Sequence, residues 1–441
     1  MAARMKDSGI EGIGLIPENW DETRRVKDIF TLSKGLPITK DNLIDEGLPV
    51  ISYGQVHSKD NTGTFIKDLL IRYVDYRYRK DRTSQVKKGD FIFADTSEDL
   101  EGCGNCVYVD REDEIFAGYH TITFCSDNTD NRYLAYLFTT DAWRTQIRKR
   151  VYAVKVYTVS QKILKECKVI LPPQRKQRAI ADFLDKRCAQ IDDVIADLEK
   201  QINLLEKYKV SLVNETVHYG INKNRMMKET KIDWIGKIPC SWEINKLGYL
   251  GTLQNGISKG AEYFGSGFPF VSYGNVYNNM ALPDNIDGLV ESTLGERIQY
   301  SVKQDDIFFT RTSETVEEIG FSSVCESTIE NATFAGFLIR FRPDNDVLTT
   351  GYAKYYFRAN MLRAYFVKEM MIVTRASLGQ YLLKEVPVLL PPIKEQQQIS
   401  SYLDYRCQEI EDIIKSKQNQ RLKMLETRKS LIYEYVTGKN E

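Results

Sequence analysis

The feature that most constrains this chain is a proline- and glycine-free stretch with apolar residues at every seventh position. It follows Leu171-Pro172-Pro173 and runs to His218. Its apolar residues are Leu184, Ile191, Leu198, Leu205 and Leu212, with a second row at Cys188, Ile195 and Ile202. Alternating steps of four and three place these residues on one seam of a helix that packs against another helix. About forty residues at roughly 1.5 Å each give a helix on the order of 60 Å long, which favours a spacer.

The same stretch occurs again near the C-terminus, after Leu390-Pro391-Pro392. Matching residues in the two copies are Gln177, Ile180, Leu184, Asp185, Arg187, Cys188 and Ile191 in the first, and Gln396, Ile399, Leu403, Asp404, Arg406, Cys407 and Ile410 in the second. Lys417 and Arg421 interrupt the second seam before Met424 resumes it. We therefore predict two long helices that pair within one chain. The residues expected to form the seam are Leu184, Ile191, Ile195, Leu198, Ile202, Leu205, Leu403, Ile410, Ile414 and Met424.

The regions ahead of the two helices also repeat each other. The matching runs are Ile13–Trp20 with Ile235–Trp242, Val50–Val56 with Phe270–Val276, Asp90–Glu98 with Asp306–Glu314, and Phe116–Tyr119 with Phe334–Phe337. Their β-branched and aromatic residues, broken by glycine, indicate strands and turns. Helical patterns follow at Tyr133–Lys149 and Tyr352–Lys368. A duplication this complete predicts approximate two-fold symmetry within one polypeptide.

We expect five segments in order along the chain. They are a globular unit at residues 1–170, a spacer helix at 171–218, a polar linker at 219–231, a second globular unit at 232–389 and a C-terminal helix at 390–437. The segments between the matching runs, such as His57–Arg82 and Tyr277–Glu296, are unlike each other. One scaffold thus carries two different sets of loops, which is where recognition residues are usually placed.

Composition excludes several classes of protein. The 61 basic and 61 acidic residues exclude a uniformly basic nucleic-acid binder but leave room for a local basic surface. No run approaches the ~20 apolar residues of a membrane span, and no apolar run follows the basic N-terminal residues as a signal peptide requires. The eight cysteines are scattered, which favours reduced thiols in the cytoplasm.

Motifs for chemistry are largely missing from the sequence. It contains no phosphate-binding loop of the Gly-x-x-x-x-Gly-Lys-Ser/Thr type, no Gly-x-Gly-x-x-Gly after a strand, and no Asn/Asp-Pro-Pro-aromatic motif of amino-methyltransferases. His57, His120 and His218 do not have metal-ligand spacing. Cys103-Gly104-Asn105-Cys106 lacks the second pair that a structural zinc needs, which favours a turn with two thiols. We therefore expect no catalytic residue, metal or cofactor in this chain.

Basic residues interleaved with aromatic ones occur in two clusters. Arg72–Lys80 continues into Arg82, Lys87 and Lys88, and Arg144–Arg150 precedes Tyr152, Lys155 and Tyr157. Arginine and lysine neutralise phosphates, while tyrosine and arginine also hydrogen-bond to base edges. The alternative is an ordinary strand and an amphipathic helix with solvated charges. The counterparts in the second half are sparser: Arg358, Arg363, Lys368 and Arg375.

Taken together, these motifs resemble the specificity subunit of type I restriction-modification enzymes. The resemblance rests on Ile-Gly-x-Ile-Pro-x-x-Trp, whose second copy opens at Ile235, on Ser-Tyr-Gly at 52–54 and 272–274, and on Asp-x-x-Phe-type runs at 89–93 and 305–309. Its strongest element is Leu-Pro-Pro, then Gln, then x-x-Ile-x-x-x-Leu-Asp-x-Arg-Cys, at 171–188 and 390–407. Arg175-Lys176-Gln177 departs from the Lys-Glu-Gln of 394–396 that is common in the family.

The resemblance implies an α+β fold with two strand-rich target recognition domains and two long antiparallel coiled-coil helices. Each domain would read one half of a bipartite, asymmetric DNA site, and the helices would space the domains and dock methyltransferase subunits, two of them in the family. Those subunits and the restriction subunits would use S-adenosylmethionine, ATP and Mg²⁺, while this chain does no chemistry. Two readers at a fixed spacing bind half-sites as a dimer does.

We expect the DNA contacts at loop residues beside the repeated runs and in the basic-aromatic clusters, although each of these residues could instead pack or form a turn. They are Tyr53, Gln55, Arg77, Arg79, Thr96, Ser97, His120, Lys155 and Tyr157 in the first domain, and Tyr273, Asn275, Arg311, Thr312, Ser313 and Arg375 in the second. Two other functions stay open: a coiled-coil adaptor that binds only proteins, and a nuclease that acts alone through scattered carboxylates.

Overall fold

The computed structural model describes residues 4–20, 23–153, 155–313, 319–344, 347–369 and 376–440. The chain divides into a first unit, Met1–Glu199 with Asn419–Glu441, and a second unit, Lys200–Gln418. There are two long helices, Gln174–Tyr219 and Ile393–Val436. Part of each helix belongs to the first unit and part to the second.

The first half of the chain alternates short strands and short helices before its long helix. Its strands are β1 (Met5–Asp7), β2 (Leu15–Pro17), β3 (Arg24–Arg25), β4 (Thr31–Lys34), β5 (Leu43–Ile44), β6 (Leu48–Ile51), β7 (Arg72–Val74), β8 (Gln85–Val86), β9 (Phe91–Ala94), β10 (Thr96–Ser97), β11 (Cys106–Tyr108), β12 (Ile115–Ala117), β13 (Thr121–Cys125), β14 (Tyr157–Thr158) and β15 (Lys168–Val169). Its helices are α1 (Tyr53–Val56), α2 (Arg132–Phe138), α3 (Asp141–Arg148), α4 (Gln161–Lys165) and α5 (Gln174–Tyr219). Single 3-10 turns lie at Val26–Asp28, Lys40–Asn42, Asp68–Leu70 and Tyr76–Lys80.

The second half follows the same plan. Its strands are β16 (Met227–Glu229), β17 (Lys237–Pro239), β18 (Glu243–Lys246), β19 (Gly251–Asn255), β20 (Phe264–Val271), β21 (Leu289–Val290), β22 (Ile307–Thr310), β23 (Thr312–Ser313), β24 (Ser322–Val324), β25 (Thr333–Phe334), β26 (Leu338–Pro343), β27 (Ala376–Ser377) and β28 (Pro387–Leu390). Its helices are α6 (Tyr273–Asn278), α7 (Leu294–Gln299), α8 (Thr350–Tyr356), α9 (Asn360–Glu369), α10 (Gln380–Lys384) and α11 (Ile393–Val436). Here 3-10 turns lie at Leu247–Tyr249 and Ala261–Tyr263.

The first unit is built on a four-stranded antiparallel sheet in the order β11-β9-β13-β4. Strand β9 is apolar throughout because it is buried on both faces, and its alternate residues enter different cores. Phe91 and Phe93 pack with Phe138 of α2, while Ile92 and Ala94 face a second cluster. That second cluster lies at a mixed sheet, β5-β7-β6-β12-β8, in which β6 and β12 run parallel.

The second unit repeats the antiparallel sheet strand for strand and has a smaller, three-stranded version of the mixed sheet. Its antiparallel sheet has the order β19-β26-β22-β24, and its mixed sheet, β21-β20-β25, again contains one parallel pair. The small two-stranded pairings also recur: β1-β2 as β16-β17, β3-β15 as β18-β28, and β10-β14 as β23-β27. The predicted fold class is therefore confirmed as α+β with a duplicated strand-rich domain.

Three local predictions need correction. Ser52-Tyr53-Gly54 does not continue the strand, because Ser52 begins α1 through a capping box with Gln55. The predicted helix over Tyr133–Lys149 is two helices, since α2 ends at Phe138 and the Thr140 hydroxyl accepts the Trp143 amide at the start of α3. The predicted helix over Tyr352–Lys368 is likewise two helices, α8 and α9. Residues 219–231, predicted as a linker, include strand β16, which pairs with β17.

The two long helices are antiparallel in each unit. In the first unit Phe183 of α5 stacks on Tyr435 of α11, at 4.3 Å between ring centroids. Asp192 of α5 forms an ion pair with Arg428 of α11, with 2.9 Å between Oδ1 and Nε. In the second unit Lys209 pairs with Glu411. Residue numbers therefore rise along α5 as they fall along α11.

The two polar residues that interrupt the second apolar seam have partners on α5. Arg421 Nε lies 2.6 Å from Glu199 Oε1 in the first unit, and Lys417 donates to Gln201 in the second. Of the residues predicted to form the seam, Leu184, Leu198, Leu403 and Ile410 are buried, and Ile191, Ile195, Ile202, Leu205, Ile414 and Met424 are half-buried. An amphipathic stripe mixed with polar bridges is typical of a solvated helix pair.

Candidate nucleic-acid interface

A cluster of aromatic and imidazole rings lies where α1 meets the end of strand β9. The Tyr53 ring is 4.7 Å from that of His57 and 6.3 Å from that of His120. His57 is fixed in turn, because its Nε2 lies 2.9 Å from the carbonyl oxygen of Thr96 and its Nδ1 lies 3.3 Å from the Asn105 side-chain amide. Burial, followed by the nearby Glu98 and Asp99, raises the pKa of the Tyr53 hydroxyl. Tyr53 and His120, both predicted site residues, are thus brought together.

Three further predicted residues of the first domain meet at the β10-β14 pairing. Thr96 pairs with Thr158, and Ser97 with Tyr157. The chain just before β14 is exposed: Lys155 lies on the surface, and the Tyr152 side chain is 87% exposed. This segment presents an aromatic ring and a cation to solvent beside the ring cluster, which is a combination suited to nucleic acid.

Gln55 and Asn275 occupy equivalent positions in the two domains, and their side chains form the same hydrogen bond. The Gln55 side-chain oxygen accepts the Ser52 amide at 3.1 Å, and that of Asn275 accepts the Ser272 amide at 2.9 Å. Both side chains therefore complete capping boxes at the start of α1 and α6. This use competes with a base contact by the same oxygen.

Part of the basic-aromatic run of the first domain is neutralised by acidic neighbours. Arg79 forms a bidentate pair with Glu114, with its Nη2 2.6 Å from Oε2, and Lys88 pairs with Glu112. Arg77 lies over the Tyr78 ring at 4.9 Å and stays exposed. Of the two arginines predicted here as DNA contacts, Arg79 is paired with a carboxylate, whereas Arg77 forms no ion pair with a carboxylate among the described residues.

Arginines on the helices after the sheets mainly hold loops in place. Arg148 donates to the carbonyls of Leu100 and Glu101. In the second domain Arg358 donates to the carbonyls of Val276, Tyr277, Asn279 and Ser322, and Arg363 donates to those of Ile319 and Gly320. Burial lowers the pKa of both the Arg358 and Arg363 guanidinium groups to about 10. These cations fasten the domain and are poorly placed for phosphates.

The second domain places its predicted residues on the same scaffold. Tyr273 begins α6 and stacks on Tyr277 at 5.6 Å. Thr312 and Ser313 form β23, which pairs with β27 as β10 pairs with β14. Arg311 precedes β23 and is half-buried. Arg375, also predicted as a contact, lies outside the described residues.

Two residues that the sequence patterns did not single out, Asp95 and Phe337, lie at this surface. The Asp95 amide donates to the carbonyl of His120 at 3.1 Å, and the Arg311 amide donates to that of Phe337 at 2.8 Å. Asp95 and Arg311 therefore occupy one position of the repeated fold, as do His120 and Phe337. The matching sequence runs already align Asp95 with Arg311, but they set Tyr119, and not His120, against Phe337, so the second correspondence appears only in the backbone hydrogen bonds.

The part of the chain that the structure describes offers no metal site and no membrane-spanning helix. No group of three or more histidine, cysteine or carboxylate side chains could hold a metal there. Cys103 and Cys106 are buried free thiols, and burial raises the pKa of Cys106 to about 12. No described helix has the length and apolar character needed to cross a membrane.

Known proteins are similar to this chain in sequence over most of its length. A Methanocaldococcus jannaschii chain assigned as the MjaX specificity subunit of a type I restriction enzyme is 24% identical over 97% of this chain and 95% of its own length. The EcoKI specificity subunit of Escherichia coli is 22% identical over 88% of this chain and 82% of its own.

Solved structures agree in fold. One, from work on complex assembly and conformational transition of the type I R-M system, has a TM-score of 0.71 at 16% identity and covers 96% of this chain and 98% of that one. The HsdS subunit from Thermoanaerobacter tengcongensis has a TM-score of 0.53 at 15% identity, with 96% and 98% coverage. The type I restriction modification DNA specificity domain matches twice, at residues 17–206 and 239–427. The resemblance is confirmed: the chain belongs to the family of type I restriction modification DNA specificity domains.

Proposed function

We propose that this chain is the sequence-specific DNA-recognition subunit of a type I restriction-modification complex. Its globular parts, residues 1–170 and 232–389, are target recognition domains that each read one half of a bipartite DNA site. The helical segments 171–218 and 390–437, with the linker 219–231, set their spacing. One observation carries the proposal: the two domains share one backbone topology yet carry different side chains at the same position, Asp95 in one and Arg311 in the other.

Unlike side chains on a common scaffold predict that the two half-sites differ. Identical domains related by two-fold symmetry would bind a palindrome, as dimeric repressors do. In this proposal the rings of Tyr53, His57 and His120, which lie together, contact one half-site. The stacked rings of Tyr273 and Tyr277, with Phe337, contact the other. The site is therefore bipartite and asymmetric.

The chemistry is supplied by other chains. Nothing in the sequence motifs provides for ATP hydrolysis or methyl transfer, so S-adenosylmethionine, ATP and Mg²⁺ are used by partner subunits. Two methyltransferase subunits dock on the paired helices and methylate adenine N6, and restriction subunits join the same cytoplasmic complex. Reaching an adenine within a duplex requires a partner that flips bases.

The decisive experiment is methylation mapping of DNA from cells that co-express this chain with its methyltransferase subunit. The expected result is N6-methyladenine confined to one bipartite, asymmetric motif. Exchanging residues 21–157 for those of another specificity subunit should change one half of that motif and leave the other half intact.

The same experiment separates the alternatives. A bound and active partner that produces no sequence motif would support a protein-only adaptor, which also has no salt-dependent DNA affinity. Cleavage or methylation of DNA by the purified chain alone would establish an enzyme and reject the proposal.

A further inference from the structure

We propose that Asp95 and Arg311 are equivalent base-reading positions, with Asp95 selecting a cytosine in one half-site and Arg311 a guanine in the other. This inference rests on the proposed function and assigns a base to one position of each half-site. It starts from a pair of residues that share their backbone setting in the two domains and carry opposite charges.

Four hydrogen bonds and a short motif establish that equivalence. Each residue donates its amide to the strand that follows in the sheet, Asp95 to His120 and Arg311 to Phe337. Each also accepts at its carbonyl, from the amide of Val159 at 2.7 Å and from the amide of Leu378 at 2.7 Å. Thr-Ser follows in both domains, as Thr96-Ser97 and Thr312-Ser313. Asp95 and Arg311 therefore have the same backbone hydrogen bonds but different side chains.

The side chains at this position are accessible and lie among exposed rings. Asp95 is 33% exposed, and its Oδ1 lies 3.3 Å from Nδ1 of His120, which is itself 62% exposed. This oxygen is buried and makes no hydrogen bond within the described structure, so the exposed third of the side chain lies on its other atoms. In the second domain the neighbour of Arg311 is Phe337, also 62% exposed. Because Oδ1 is buried beside the imidazole while the side chain is one-third exposed, a donor from outside would meet the remaining, exposed part of the carboxylate.

The sign of each charge limits what it can contact on DNA. A carboxylate is repelled by phosphates, so Asp95 can only approach a donor on a base edge. Cytosine N4 offers such a donor, whereas adenine places the N7 acceptor beside its amino group and suits an amide better. Arg311 has the opposite charge, and its guanidinium group can donate two hydrogen bonds to the O6 and N7 acceptors of guanine.

The test uses the complex of the full chain with its methyltransferase subunit and compares wild type, Asp95→Ala, Asp95→Asn and Arg311→Ala. First, the wild-type methylation motif is mapped. Binding is then measured to duplexes in which each base pair of the motif is changed in turn. Asp95→Ala should lose about ten- to hundredfold of discrimination at a single C·G pair of one half-site. Arg311→Ala should do the same at a G·C pair of the other half-site.

Controls and the ratio readout keep the outcomes separate. Glu112→Gln removes an exposed charge from the same domain, where Glu112 pairs with Lys88, and should leave every ratio unchanged. Because discrimination is a ratio between duplexes, a uniform loss of affinity in Asp95→Ala or Asp95→Asn would overturn the inference by indicating a positioning role. So would unchanged discrimination, or a change confined to an A·T pair. A wild-type complex without any motif would instead reject the proposed function itself.

Discussion

The hydroxyl of Tyr136 on α2 donates a 2.8 Å hydrogen bond to Asp185 on the long helix α5. The second unit contains the same bond, from Tyr355 on α8 to Asp404 on α11 at 2.7 Å. Both aspartates belong to the repeated Leu-Asp-x-Arg-Cys sequence. The duplicated motif is therefore the joint between each globular domain and the helix that follows it.

Tyr136→Phe should weaken that joint in the first unit. Tyr136 is only 3% exposed, and its hydroxyl bonds to a carboxylate, so its loss should lower the free energy of unfolding by about 1–2 kcal/mol. Chemical denaturation measures the change. Tyr405→Phe is the matched control, since the Tyr405 side chain is 63% exposed and bonds to Glu409 four residues away on the same helix. Equal effects of the two substitutions would contradict an interelement role for Tyr136.

Gln55→Ala should act on stability and leave specificity unchanged. The substitution removes the side chain that caps the Ser52 amide, which is worth about 1 kcal/mol. Asn275→Ala should behave alike in the second domain, because its side chain makes the same bond to Ser272. Thermal melts of both variants and methylation mapping check the two parts of the prediction. A changed methylation motif in Gln55→Ala would show that the residue reads a base.

The sequence predicted much of this architecture because periodicity and repetition report on burial. The heptad of α5 and the paired apolar runs at β9 and β22 are direct consequences of which faces are covered. Capping was harder to foresee, since Ser52-Tyr53-Gly54 has the composition of a strand end, and only the Gln55 side chain reaching back to Ser52 converts it into a helix start.

Which basic residues are free to contact DNA is harder to predict from sequence, for a different reason. A basic cluster in sequence says nothing about the acids that fold against it, and Glu114, 35 residues from Arg79, engages that guanidinium. Asp95 was not predicted as a contact, although the matching runs Asp90–Glu98 and Asp306–Glu314 align it with Arg311. The neighbours of the two residues, His120 and Phe337, correspond only after a one-residue shift of register, which the backbone hydrogen bonds reveal and sequence similarity does not.

Leu184→Ala tests the packing of the long helix against the first domain. Leu184 is fully buried in a core that includes Ile432 and Val436 of α11, so its truncation should cost about 2–5 kcal/mol. Leu204→Ala makes the same chemical change on the same helix at a side chain that is 55% exposed, and should change stability by less than about 0.5 kcal/mol. Denaturant midpoints of the two variants give the comparison. Similar small losses for both would mean that the Leu184 seam contributes little.

Arg132→Met should make stability less sensitive to acid. Arg132 lies within 2.9 Å of carboxylate oxygens of Asp130, Asp182 and Asp185, at the same joint as Tyr136. Its hydrogen bonds lower the pKa of the Asp130 carboxyl, against the opposing effect of burial. A lowered carboxyl pKa contributes stability that is present above the ordinary pKa of about 4 and is lost as the pH falls through the folded value.

Wild type should therefore exceed Arg132→Met by about 1–2 kcal/mol at neutral pH, after allowance for solvent screening, and the gap should close below about pH 4. Unfolding free energies measured across that range test the sign. Arg421→Met provides the control, because its pair with Glu199 is more exposed, at 37% and 51%, and should contribute less than about 1 kcal/mol at any pH. A gap that widened in acid would contradict the assignment of Asp130 as the group whose protonation breaks the joint.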